Sequence, residues 1–140
     1  MARFVLDANV VIAIVGREHL RVEAVEEFWR EVTTADSLIG PQMIIPECAS
    51  TLRTKVFDKL ISEEQAFRWM SLVLRLPIAV NRDERQFFRA IELAGGGQRR
   101  KAYDMQYLAT AELTQSTLVT LDTGLRQRAI EVKHPVRFLR

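Results

Sequence analysis

Phe4-Val5-Leu6 is a short apolar run of β-branched and aromatic type that stops at an acid, Asp7, and gives way to Val10, Val11, Ala13 and Ile14 at near-helical spacing. That order predicts a strand followed at once by a helix, with Asp7 at the junction. In an open parallel α/β sheet this carboxyl edge of the strands is where ligands bind. Asp is equally a favoured helix N-cap, so the position by itself leaves two readings, cap and chemistry, side by side.

The 140 residues fit one domain, 1–140, long enough to bury a core without disulfide or metal staples. A single cysteine, Cys48, rules out an internal disulfide. No apolar run approaches a membrane span, and the N-terminal run is too short, and too soon broken by Asp7, for a signal peptide. The expectation is a cytosolic protein. A net charge of +2 names no partner, but its distribution is uneven: residues 1–81 hold 9 Lys/Arg against 11 Asp/Glu, and residues 82–140 hold 11 against 7. Arg99, Arg100, Lys101 and Arg126 lie in the basic half, close in sequence to acids that follow or end apolar runs. A basic rim around acids suits a polyanion, although a solvated surface explains any one of these side chains.

Along the chain, Val25, Phe28, Trp29 and Val32 fall at i, i+3, i+4 and i+7, an amphipathic helix. Ser37–Gly40 reads as a second strand closed by Gly40-Pro41. Pro41 suits the opening of the next helix, and Pro46 predicts a kink just before Glu47. Ser62-Glu63-Glu64-Gln65 has the form of a capping box, followed by the buried stripe Ala66, Trp69, Met70 and Val73. Residues 77–80 form a third strand. The helix over Arg85–Ala94 is expected to turn Phe88, Ile91 and Ala94 inward and to end at Gly95-Gly96-Gly97. These glycines lack the strand-before, helix-after setting of a dinucleotide loop. A helix over Tyr103–Leu113 carries Asp104 in its first turn, Thr117–Leu121 is a strand delivering Asp122, and a short helix and a strand at Val136–Leu139 close the chain. Helices between successive strands predict a three-layer α/β/α sandwich around a mainly parallel sheet of about five strands.

Two acids, Asp7 and Asp122, thus end apolar strands, and two more, Glu47 and Asp104, stand in early helical turns. If the fold gathers these ends, four carboxylates share one pocket. At ~4 Å two like charges repel by ~1 kcal/mol in water and ~4 kcal/mol at an effective dielectric near 20. Such a cluster either holds protons or binds a hard divalent cation. All-oxygen donors favour Mg²⁺ or Mn²⁺, and His19, His134 and Cys48 lack the spacing of a zinc site.

The runs FVLDANVVI, GPQMIIPECASTLR, AYDMQYLATAEL and STLVTLDTGLRQRA resemble the successive acidic motifs of the PIN-domain family, over nearly the whole chain, and the length is similar to that of its VapC toxin branch. The resemblance implies a metal-dependent endoribonuclease held inactive by an antitoxin partner, and commonly a homodimer. It assigns Asp7, Glu47, Asp104 and Asp122 as catalytic, metal-holding acids, and Asn9 and Thr120 as polar residues supporting them. Asn9, where Ser or Thr is frequent, and Met105-Gln106 depart from the pattern without removing an acid. Arg99, Arg100, Lys101 and Arg126 are candidate RNA contacts. A non-catalytic RNA-binding or protein-interaction module of the same shape is the competing reading. The large apolar residues of the early helices, Phe28, Trp29, Phe57, Phe67 and Trp69, offer a groove for a partner helix beyond what a small core needs.

Overall fold

The computed structural model describes residues 1–99 and 102–140, so Arg100 and Lys101 lie outside the described residues. Strands β1 (Arg3–Leu6), β2 (Ser37–Gly40), β3 (Ile78–Val80), β4 (Thr117–Thr120) and β5 (Val136–Phe138) form one sheet in the order β3-β2-β1-β4-β5. Every neighbouring pair is parallel, with Phe4 opposite Leu38 on one side and Thr117 on the other. Val5, Leu6, Leu118 and Val119 are fully buried in the two central strands.

Between the strands run α1 (Ala8–Val15), α2 (Arg17–Leu20), α3 (Glu23–Glu31), α4 (Ile44–Phe57), α5 (Glu63–Arg75), α6 (Arg85–Gly96), α7 (Met105–Thr114) and α8 (Thr123–Glu131). Parallel crossovers are right-handed almost without exception. The path steps one way across the sheet from β1 to β3, then returns over β1 to β4 and β5. Helices α1–α5 therefore cover one face and α6–α8 the other, as their mutual packing shows. The direction reverses between β1 and β4, and crevices for ligands open at such a switch point. No helix among the described residues is long and apolar enough to cross a membrane.

Local chemistry explains most boundaries. Ser62 accepts from the Gln65 N–H at 3.1 Å while the Gln65 carbonyl oxygen accepts from the Ser62 N–H at 3.1 Å, a complete capping box for α5. Ala66, Trp69 and Val73 then face the core. Two expectations fail. Pro46 does not kink its helix: it is the third residue of an unbroken α4, in the first turn where no intrahelical N–H is required. In α6 the buried stripe is Gln86, Ala90, Leu93 and Ala94, while Phe88 is 71% and Ile91 65% exposed. The amide of Gln86 turns the helix this way. Its Nε2 donates to the carbonyls of Asn81 (2.8 Å) and Asp83 (2.9 Å), and its Oε1 accepts from the Gln42 N–H and the Thr110 hydroxyl, both at 3.3 Å. With every polar atom satisfied, burial of a glutamine costs little.

Candidate functional site

Asp7 follows β1 at the switch point, where the chain must leave a buried strand and start α1. Its side chain is 4% exposed. Oδ1 caps α1 by accepting from the Val10 N–H at 2.9 Å, and Oδ2 accepts from the Leu121 N–H at 3.3 Å and from the Thr120 hydroxyl. The cap and chemistry readings therefore coexist, because one oxygen serves the helix and the other is held from across the sheet. Burial pushes the Asp7 carboxyl above its ordinary pKa; the three hydrogen bonds pull it down, and the charge of Asp122 adds to the rise.

Asp122 arrives two residues beyond the end of β4. Its N–H donates to Thr120 Oγ1 at 2.9 Å and its Oδ1 caps α8 through the Leu125 N–H at 2.8 Å. Thr120 thus links two acids. It donates to one and accepts from the backbone of the other.

Glu47 lies in the first turn of α4 and is half-buried, with Oε2 enclosed and lacking a hydrogen-bond partner. Its carboxyl is also raised, chiefly by burial and further by the charges of Asp7 and Asp104, against a lowering from the neighbouring Tyr107 phenol. The Tyr107 hydroxyl is close enough to act on that carboxyl, yet its geometry falls outside that of a formed hydrogen bond. Burial, then the charges of Glu47 and Asp7, drives the phenol far above its ordinary value, so it stays protonated. Cys48, fully buried, is pushed up to about 12, mainly by burial and then by Glu47 and Asp7.

Asp104 occupies the N-cap position of α7, one residue before the expected first turn. Its Oδ2 stands 3.3 Å from Nη1 of Arg99. The same guanidinium packs on Gly124, where any Cβ would collide with it. Arg99 is thereby drawn to the acids. Arg126 instead stacks over the Phe138 ring, 4.9 Å from its centroid.

The four acids thus come from four different elements and act on one another electrostatically: Asp7 with Asp122, and Glu47 with Asp7 and Asp104. Among the described residues, however, no three acids, histidines or cysteines stand within joint reach of one cation. The two expected supporting residues separate. Thr120 bonds Asp7; Asn9 is exposed, forms no hydrogen bond to Asp7, and instead lines a cleft of about 430 Å³ beside Asp122. The outward-facing first turn of α1 explains this, since Ala8 and Val10 take the buried positions on either side. The histidines are elsewhere. His19 packs edge-on against Trp69, with centroids 5.8 Å apart, and His134 Nε2 meets the Ser116 carbonyl at 2.7 Å.

Sequence reasoning missed Tyr107 and the Leu121 N–H. Tyr107 carried a usable signal, because a tyrosine on the apolar face of a helix, three residues after an acid, brings a hydroxyl into the core that needs a polar neighbour.

A comparison with curated protein sequences gives no match. Among solved structures the chain is similar to VapBC2 from Rickettsia felis bound to a promoter DNA fragment (TM-score 0.70, 11% identity, 99% of each chain covered). It is also similar to VapBC-1 from nontypeable Haemophilus influenzae (0.66, 15%, 98% of each chain). A third likeness is PAE2754 from Pyrobaculum aerophilum (0.63, 19%, 91% of this chain and 84% of that one). At these identities the likeness establishes the fold. The sequence pattern of the PIN domain matches residues 4–131, and the chain, with its parallel sheet and acids at the switch point, belongs to the PIN-domain family.

Proposed function

We propose that the chain is a Mg²⁺- or Mn²⁺-dependent endoribonuclease and the toxin of a VapBC-type toxin–antitoxin pair, acting in the cytosol. The observation that carries this reading is the partnerless, enclosed Oε2 of Glu47 among acids whose charges raise its pKa. A buried acceptor without a donor costs about 1–3 kcal/mol, more when charged, and a hard cation relieves both that cost and the mutual repulsion. The donor chemistry fits: Asp7, Glu47, Asp104 and Asp122 offer oxygen alone. Binding requires the carboxylates to close in from the positions they hold.

When bound, the cation supplies charge stabilisation on the phosphodiester and lowers the pKa of a water. The protein's own groups do the rest. Thr120, Leu121 and Val10 fix the Asp7 carboxylate in one orientation. Glu47, its pKa raised chiefly by burial, is suited to take a proton from the attacking water. Attack by water leaves a 5′-phosphate and a 3′-hydroxyl. Cleavage through the ribose 2′-hydroxyl with a histidine acid and base is disfavoured, because both histidines are engaged elsewhere.

Asp7→Asn or Asp104→Asn is expected to abolish RNA cleavage while the melting transition persists, with EDTA producing the same loss in the unmodified protein. Metal-independent cutting by either variant would overturn the mechanism. The wide spacing of the acids favours a second reading, a non-catalytic module, and Mn²⁺ binding with and without Asp7 separates the two. An antitoxin partner is supported by the exposed Phe57 and Phe67 on α4 and α5, beside a groove of about 180 Å³ that includes Leu52, Val56 and Met70. Phe28 and Trp69 of the expected set are instead core. Exposed Phe88 and Ile91 on α6 support a homodimer.

A further inference from the structure

The cleft beside the acids has a chemistry of its own. Its floor is apolar, built from Ala13 of α1, Leu20 of α2, Val22 and Leu121. Its rim is polar. Asn9, Asp122, Lys55 of α4 and Arg140 contribute its polar lining. Leu121 belongs to both places: its backbone N–H donates to Asp7 and the residue lines the cleft. The cleft therefore includes Asp122 and adjoins Asp7.

We propose that this cleft holds the nucleotide next to the scissile phosphate of a single-stranded RNA, with Lys55 and Arg140 binding phosphate and the apolar floor carrying the base. This deepens the nuclease reading and rests on it for the position of the scissile bond. Three observations support the assignment. The volume of about 430 Å³ lies in the range of small-molecule sites, about 300–1,000 Å³. Neither Lys55 nor Arg140 forms an ion pair with a carboxylate among the described residues, so their charges are available to a polyanion. The Arg140 guanidinium rests 5.8 Å from the Phe138 ring, whose position is also shared by Arg126 at 4.9 Å. A propped planar guanidinium loses little freedom on binding and can both stack and bond to phosphate. An extended base-paired duplex would have to unpair to place one base on the floor, which favours single strands.

The test is fluorescence anisotropy of the full chain with a labelled single-stranded RNA in EDTA, so that binding is read without cleavage. Lys55→Gln and Arg140→Gln keep much of the side-chain stem and remove the charge. Each is expected to weaken binding about fivefold, the equivalent of one exposed charge contact of about 1 kcal/mol. Each should also flatten the slope of log K against log salt by about 0.7. Arg30→Gln, on α3 and outside the cleft, should change neither. Wild-type affinity and slope in both cleft variants overturns the proposal, as does loss of antitoxin co-purification with RNA binding intact. The two readings fail separately: metal-dependent cleavage with unchanged RNA binding in the variants sinks only the subsite. Weakened RNA binding in both cleft variants, with a wild-type chain that never cleaves RNA, sinks only the nuclease.

Discussion

Replacing Thr120 by Val removes a hydroxyl from between two acids at nearly constant volume. The hydroxyl donates to buried Asp7 Oδ2, a bond to a charged group worth about 1.5–3 kcal/mol when the carboxyl is ionised. It also accepts from the Asp122 N–H at 2.9 Å, and losing that acceptor costs about 1 kcal/mol more. The added methyl returns about 0.8 kcal/mol of burial. The net expectation is a loss of about 2–3 kcal/mol above the raised pKa of Asp7. With a urea slope of ~1–3 kcal/mol/M, the denaturation midpoint should fall by about 1–2 M at an unchanged slope. The pH dependence follows from the raised folded-state pKa. Native Asp7 holds its proton to higher pH than the unfolded chain does. Its contribution to stability is therefore full below the ordinary carboxylate range and is lost as pH rises through its folded value. Without Thr120, a bond that favours the charged form is gone, the folded pKa rises further, and the loss steepens. Below about pH 4 the bond is between neutral groups, and the cost of the substitution should shrink by about 1 kcal/mol. Urea titrations at the two pH values check this. Equal costs at both, or a cost under about 0.5 kcal/mol above the raised pKa of Asp7, would refute the view that Thr120 stabilises a charge.

Gln86→Leu should cost about 2–4 kcal/mol, because it leaves the buried Thr110 hydroxyl and the part-buried Gln42 N–H and Asn81 and Asp83 carbonyls without their partner, whereas Phe88→Ala on the exposed face of the same helix should stay within about 0.5 kcal/mol. Chemical denaturation of both variants distinguishes them, and the reverse ranking would mean that Phe88 and not Gln86 packs in the core. Cys48, buried and with its thiol pushed up to about 12, should resist a thiol-specific disulfide reagent in the native protein at about pH 8 and react fully in urea. Prompt native labelling would show that α4 opens locally.

The strands were readable because each is a brief apolar run ending at an acid, a glycine or a turn, and that pattern survives without tertiary information. Ser62 and Gln65 announced their helix for the same reason, since a capping box is local. The buried face of α6 was misread because it is set by hydrogen bonds that periodicity does not register. Whether Phe88 or Gln86 faces the core depends on groups at Asn81, Gln42 and Thr110. Periodicity ranks a phenylalanine above a glutamine and cannot see those bonds. The resemblance implied Asn9 as a support for the acids, and the first turn of α1 points it outward, to the cleft beside Asp122. Lys55 and Arg140, some 85 positions apart, meet along one cleft only because β5 lies beyond β4. Pro46 misled through its position, as one turn further into α4 it would have removed a real hydrogen bond.

The insertion of β4 beside β1 sets the order in which the molecule can acquire its chemistry. The hydroxyl that holds Asp7 lies 113 residues away along the chain. Strands β1, β2 and β3 pair with sequence neighbours, but β1 remains an open edge until β4 has been synthesised. A nascent chain emerging from the ribosome at ~5–20 residues per second therefore carries Asp7 for several seconds before its fixing group exists. Contacts of such long separation also form late once the chain is free to fold. The acid site is thus timed by topology: a truncated product that ends before Thr117 has three of the four acids and the Val10 cap, but neither bond that holds the other oxygen of Asp7.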